Sequence, residues 1–253
     1  MKRYCIALGV FIPVLLIGSI FLKTDMNHKR ELKGGKAIQS YEIKPNTEES
    51  PLRTEEPVSA VSEGKMLTLV NPWNEIPKDY TVSLVELGNG HSVDRLCYPA
   101  LQNMMDDCCL AGFSPVICSS YRTWQKQERL YLNKVYSLMQ QGYTEDEAKI
   151  KAAGTVAVPG TSEHQLGLAV DIVDANNQNL DESQESTAVQ KWLMENSWKY
   201  GFILRYPNGK SEITGIIYEP WHYRYVGKEA AEEIYRQGIC LEEYLDRVDV
   251  TRM

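Results

Sequence analysis

Two short segments hold most of the residues in this chain that could do chemistry together. The first is Ser162-Glu163-His164-Gln165-Leu166-Gly167-Leu168-Ala169-Val170-Asp171, and the second is Glu219-Pro220-Trp221-His222. The chain has four histidines, and two of them fall in these segments, each with a carboxylate at short range. His164, Asp171 and His222 can fill three positions around a tetrahedral Zn²⁺ and leave the fourth to water, the arrangement of a catalytic rather than a structural zinc. Zinc brings the pKa of its water down to about 7. Glu219 would take that proton and return it to a departing amine, the general acid–base work of a peptidase. Arg122 offers fixed, always charged donors to a developing oxyanion.

Each piece has an ordinary reading. A lone His-x6-Asp is more often satisfied core polarity than a ligand pair, Glu-x-x-His also fits a surface helix face, and Arg122 fits a surface ion pair. Their conjunction carries the argument. Ser162 has no Gly-x-Ser-x-Gly elbow and the chain has no Gly-rich phosphate loop, which removes the leading hydrolase and nucleotide readings. Two histidines and a carboxylate also suit Fe(II), but that site would leave Glu219 without a role.

The elements that must position these residues read as α+β, a single zinc-peptidase domain with a small antiparallel sheet flanked by helices. Leu67 to Val70 and Ser83 to Leu87 read as short extended segments bounded by turn residues. Tyr98 to Ala111 and Trp124 to Gln141 have helical apolar spacing, and Thr144 with Glu147 forms a capping box for a helix to Ala153. Pro115 to Cys118 reads as a strand delivering Arg122 to a loop. From Leu168 to Val173 the alternation puts Ala169, Asp171 and Val173 on one face and Leu168, Val170 and Ile172 on the other. A carboxylate in so apolar a strand needs a cation, a metal or donors. Gly167 leaves room for a turn that brings His164 alongside Asp171. Ile213 to Tyr218 reads as a further strand ending before Pro220, and Glu229 to Leu245 as a pair of amphipathic helices around Gly238.

Composition separates this domain from the N-terminal segments. Lys2 and Arg3 lead an uncharged, mostly apolar run of nineteen residues, Tyr4 to Leu22, long enough to approach the roughly 30 Å hydrocarbon core. A cleavable signal peptide competes, but the run exceeds an h-region of about 7–15 residues and no clear Ala-x-Ala comes after it, which favours an uncleaved signal anchor over residues 1–23. Lys23, Lys29, Arg30 and Lys33 lie just past the span and would invert the protein by the charge rule. Export needs only a three-residue tail to stay inside, so the catalytic domain is placed on the extracellular side. Residues 24–65 read as a flexible stalk and 66–253 as the zinc domain. A net charge of −7 without a basic stripe in the catalytic half excludes a nucleic-acid surface. The six cysteines form no Cys-x-x-Cys, so a second zinc site is not expected. Pairing among Cys97, Cys108, Cys109 and Cys118 and buried free thiols remain equal readings.

These motifs resemble the VanY-type D-alanyl-D-alanine carboxypeptidases, zinc peptidases, over about Leu67 to Leu245. Ser-x-His-x-x-Gly-x-Ala-x-Asp is complete at 162–171, Glu-x-Trp-His at 219–222, and Ser-x-Tyr-Arg-x-x-x-x-Gln at 119–127. Tyr223 to Gly227 and Leu241 to Leu245 also fit. The resemblance implies one Zn²⁺ on His164, Asp171 and His222, Glu219 as base, Arg122 near the scissile carbonyl, and Gln127 and Ser162 on the peptide's C-terminal residue. It implies as substrate the stem peptide of peptidoglycan or its lipid-linked precursor, ending in D-Ala-D-Ala. The alternatives it leaves are an L,D-carboxypeptidase trimming tetrapeptides, a dipeptidase on free D-Ala-D-Ala, and a non-catalytic wall-binding module.

Overall fold

The computed structural model describes residues 60–251. The apolar run at 4–22 and nearly all of the stretch assigned to a stalk lie outside these residues, and no described helix is long and apolar enough to cross a membrane. The first element, α1 (Ala60–Met66), begins inside the stretch whose composition reads as stalk. Next come an antiparallel pair, β1 (Leu84–Glu86) with β2 (Ser92–Asp94), and then α2 (Tyr98–Leu110).

The sheet that carries the candidate site has four antiparallel strands: β3 (Pro115–Ser119), β4 (Ala169–Asp174), β5 (Phe202–Leu204) and β6 (His222–Tyr225), in the order β3-β4-β6-β5. Between β3 and β4 runs a helical hairpin, α3 (Trp124–Gln140) and α4 (Glu145–Ala153). α5 (Ala188–Asn196) and the one-turn α6 (Ser211–Thr214) complete the middle of the chain, and α7 (Lys228–Gln237) and α8 (Leu241–Thr251) close it.

The alternation read in β4 sorts the two sides of the sheet. Leu168, Val170 and Ile172 join Leu101, Met104, Leu193, Phe202 and Tyr223 in the largest core cluster, between the sheet, α2 and α5. A second cluster seats α7 and α8 against Ile203, and a third joins α3 to α4 through Val135, Leu138, Ala148 and Ala152. The α4 capping box is formed, with Thr144 and Glu147 satisfying each other's backbone N–H.

Leu67 to Val70, read as an extended segment, has no ladder partner, and one expected strand is absent among the described residues. Ile213 to Tyr218 is the end of α6 and a turn at Gly215 (φ +77°), where a Cβ would meet the Pro72 ring at 2.6 Å. Ile216 and Ile217 line a cleft wall rather than a ladder, and strand structure resumes only past Pro220, at His222. Cys97, Cys108 and Cys118 are free thiols, which decides for these three against pairing.

Candidate metal and catalytic site

The site lies on the face of β4 and β6 turned away from the largest core. Asp171 and His222 are register partners across these strands. On the other side of β4, the pairing with β3 shifts by one residue between Ile117 and Ser119, so that Ser119 stands opposite Asp171. The shift is a β-bulge, a device that bends a strand and re-aims the residues beyond it. Three residues on is Arg122, just before Thr123, whose side chain caps α3 by accepting from Lys126 N–H. Strand, bulge and cap together fix where Arg122 enters the site.

His164 arrives by a different route. Glu163–Leu166 form a single 3-10 turn closed by Gly167 at φ +73°. Gly167 donates its N–H to His164 O at 3.2 Å and accepts from Asp94 N–H at 2.8 Å. A Cβ there would lie 2.8 Å from Val82 Cγ1 and 3.1 Å from Asp94 N, so both the backbone conformation and the space call for glycine.

These routes bring His164, Asp171 and His222 together, all buried, with one ligand atom from each within 4.8 Å of the others. His164 Nε2 is 3.2 Å from Asp171 Oδ2, and His222 Nδ1 is 3.1 Å from Asp171 Oδ1. The imidazole rings stand edge to face, 4.9 Å apart. Each ring turns its other nitrogen to an oxygen: His164 Nδ1 is 2.9 Å from the Ser120 carbonyl, and His222 Nε2 is 3.4 Å from Glu163 Oε2. Ring nitrogens whose N–H is spent on such oxygens keep their lone pairs for the side facing Asp171.

Asp171 Oδ1 is fully buried and has no hydrogen-bond donor. His222 Nδ1 stands close to it but off the line of a hydrogen bond. An orphaned carboxylate oxygen facing imidazole nitrogens is costly unless a cation lies among them. Nitrogen, oxygen and nitrogen donors from buried side chains are the set that Zn²⁺ takes, so the residues present fit the metal.

Glu219 stands beside this set, its Oε2 3.6 Å from His222 Nδ1. Its backbone N–H donates to Tyr206 O, and its carbonyl accepts from His222 N–H, which folds Glu219 and His222 onto one side of the Pro220 turn. Burial pushes its carboxyl up to about 8, with Asp171 adding to the rise and His222 and Arg122 opposing it. His222 is raised to about 9: burial opposes its charge, but the carboxylates of Asp171 and Glu163 beside the ring outweigh burial. His164 goes the other way, lowered to about 4 by burial and then by Arg122.

Arg122 lies over the same carboxylate, Nη2 donating to Asp171 Oδ2 at 2.9 Å and to Ser119 Oγ at 2.8 Å. Its Nη1 donates to Gln127 Oε1 at 3.3 Å, and Gln127 donates in turn to Ala157 O at 2.7 Å. Gln127 is therefore fully buried and stands behind Arg122. Ser162, Arg122, Glu219, Trp221 and Tyr206 line a cleft of about 370 Å³, with Leu130, Leu180, Ile216 and Ile217 as its apolar walls.

Sequence reasoning missed the charges behind the site. Glu163 accepts from Arg205 Nε and Arg224 Nη1, both at 2.7 Å, and Arg205 pairs with Glu242. Burial alone would raise the Glu163 carboxyl, but Arg205 and Arg224 hold it well below the usual carboxylate range. Two of these residues had a local signal: Glu163 adjoins His164, and Arg224 shares a strand face with His222. Arg205 and Glu242 are joined to the site by folding alone.

Comparison with known proteins agrees with this geometry. The family described as VanY, D-alanyl-D-alanine carboxypeptidase, matches residues 90–228. A D-alanyl-D-alanine carboxypeptidase of Enterococcus faecalis is 47% identical over 205 residues, 81% of this chain and 74% of that protein. A crystal structure of a mutant vancomycin resistance D,D-pentapeptidase VanY from a VanB-type cassette, in complex with Zn(II), aligns with a TM-score of 0.66 at 50% identity, covering 72% of this chain and 99% of that one. VanYB in complex with D-alanine-D-alanine aligns equally, with a TM-score of 0.66, 50% identity and coverage of 72% and 97%. On a fold, a donor set and a level of identity that agree, this chain belongs to the VanY family of D-alanyl-D-alanine carboxypeptidases.

Proposed function

We propose that the protein is a zinc D,D-carboxypeptidase that removes the terminal D-alanine from peptidoglycan precursor peptides ending in D-Ala-D-Ala. The observation that carries this reading is the convergence of His164, Asp171 and His222 on one buried point beside Glu219. Relatives named for this activity, and a related structure holding D-alanine-D-alanine, support the substrate. Removal of that residue destroys the dipeptide that glycopeptide antibiotics bind, which makes a part in resistance the biological role.

His164, Asp171 and His222 would hold the zinc, which supplies Lewis acidity and makes hydroxide available near neutral pH. Glu219 takes a proton from the attacking water and delivers it to the departing D-alanine amine. A cation among its neighbours favours the ionised carboxylate and so opposes the upward shift that burial causes. Arg122 presents its guanidinium to the oxyanion. Gln127 and the Ser119 hydroxyl hold that guanidinium in place, so Gln127 acts on the peptide through Arg122. Ser162, on the cleft wall, grips the peptide's C-terminal residue. Tyr206, its ring 4.8 Å from that of His222, and Trp221 narrow the water-accessible space around the reacting atoms.

The N-terminal run Tyr4 to Leu22 supports a membrane tether with the catalytic domain outside, within reach of the lipid-linked precursor. Membrane fractionation and then protease treatment of intact cells test this: release into the soluble fraction, or protection from protease, would overturn it.

Mass spectrometry of two synthetic muropeptides with the zinc-loaded protein tests the activity. Loss of one alanine from the pentapeptide and none from the tetrapeptide is expected. Loss from the tetrapeptide alone would make the protein an L,D-carboxypeptidase, and loss from neither would make it a binding module.

A further inference from the structure

The buried charges behind the site have a one-sided arrangement. Glu163 spends one oxygen, Oε1, on both Arg205 and Arg224, and leaves Oε2 to His222 Nε2. The Glu163, Arg205 and Arg224 side chains are all fully buried. Arg205 reaches on through Nη1 and Nη2 to Glu242 of α8 at 2.9 and 2.7 Å, and Glu242 Oε1 also accepts from Asn71 Nδ2 at 3.0 Å. Arg224 Nη2 donates to Met66 O and Thr68 O, both at 2.9 Å. Two carboxylates and two guanidiniums thus balance in charge, and every one of them is fixed from at least two directions.

Such a group is a poor device for stability, because packed apolar residues of the same volume would serve as well or better. It is a good device for orientation. His164 spends its Nδ1 on a neutral backbone carbonyl, whereas His222 meets a carboxylate held in place by two arginines. The Nε2 side is the only one from which Glu163 can reach this ring, since Nδ1 faces Asp171 Oδ1 and Glu219 Oε2. An acceptor fixed at Nε2 decides which nitrogen carries the proton and so which one carries the lone pair.

We propose that Glu163 is the positioning residue of His222: its carboxylate accepts a hydrogen bond from Nε2–H and so aims the Nδ1 lone pair at the metal, while Arg205, Arg224 and Glu242 hold that carboxylate from behind. This rests on the zinc reading of His164, Asp171 and His222. It also extends the metal site beyond the family's matched residues 90–228, since Glu242 of α8 and Asn71 lie outside them.

The test reads the ring and the metal rather than turnover. In the wild-type protein labelled with ¹⁵N-histidine and loaded with zinc, long-range ¹H–¹⁵N spectra are expected to show His222 protonated at Nε2 and metal-bound at Nδ1, and His164 the reverse. Metal on Nε2 of His222 would overturn the proposal without any variant. Glu163→Gln is expected to weaken zinc binding about 10–100-fold in chelator competition, with partial recovery in Glu163→Asp. Glu242→Gln, which disturbs Arg205 without touching Glu163, is expected to weaken it less. Variants that melt earlier but bind zinc as tightly as wild type would make the group merely structural and overturn the proposal. Wild type that binds no zinc at all would instead overturn the functional reading on which it stands.

Discussion

Asp171 and His222 are direct cross-strand partners, and their side chains meet at 3.1 Å on the face of the sheet opposite the largest core. Register therefore decides the site. Side chains alternate along a strand, so a one-residue slip of β6 against β4 would turn His222 into the core and Tyr223 out of it. The packing of Tyr223 with Val170 and Ile172 resists that slip, and the core thereby holds two metal-ligand candidates in place.

The Glu219 carboxylate stands 3.6 Å from His222 Nδ1. Glu219→Gln keeps its shape and removes its proton chemistry. D-Alanine release from the pentapeptide is expected to fall by about 10²–10⁴, with zinc content by elemental analysis unchanged. Activity within a few-fold of wild type would remove Glu219 from the mechanism.

The pH dependence of the metal-free domain comes from two raised groups. His222, raised to about 9, contributes stability that is full below its unfolded value near 6.5 and is lost as pH rises through 9. Glu219, raised to about 8, binds a proton in the fold that the unfolded chain has released above about 4.5, so its effect runs the same way. With chelator present, the melting temperature should therefore fall from pH 6.5 to 9. Zinc must displace the same protons, so its affinity should rise over that interval and level off above it. Calorimetry in buffers of different ionisation enthalpy would count the protons released, and a zinc affinity flat with pH would contradict the assignment.

Arg122 uses its fork on Asp171, Ser119 and Gln127 at once. Arg122→Lys keeps the charge but cannot reproduce that geometry. kcat/KM on the pentapeptide is expected to drop by about 10²–10³, the range found when an oxyanion donor is lost. Zinc affinity should change far less than turnover, and a loss confined to zinc binding would recast Arg122 as a holder of Asp171.

Gly167→Ala forces a side chain into a left-handed conformation with Val82 Cγ1 at 2.8 Å. A cost of about 1–3 kcal/mol is expected, or roughly 2–4 °C in melting temperature for each kcal/mol in a domain of this size. Because Gly167 closes the turn that carries His164, zinc affinity should fall along with stability, and denaturant melts paired with chelator competition would show both.

The site was more legible in the sequence than the frame around it. Asp171 stood out as a charge in an apolar strand, and His164 and His222 as two of four histidines with carboxylates beside them. The Ile213 to Tyr218 stretch misled because apolar residues with β-branching favour a strand whether they pair or line a wall. β5 has three residues, too few for a period to register. Gln127 reads in the motif as a substrate contact, but only the fold shows its amide turned to Arg122 and Ala157. Arg205 and Glu242 leave no local trace, because the partners of a buried charge are chosen by the path of the chain and not by spacing.

The thiols described in the fold have a consequence for how the protein can be handled. Cys97 and Cys108 are buried and Cys118 is half-buried, and burial lifts all three thiols far above neutrality, to about 12 for Cys108 and Cys118. Oxidants and alkylating reagents attack the thiolate, a form these residues scarcely adopt. Alkylation and oxidation at these three positions should therefore be slow near neutral pH, which thiol labelling of the folded protein would show.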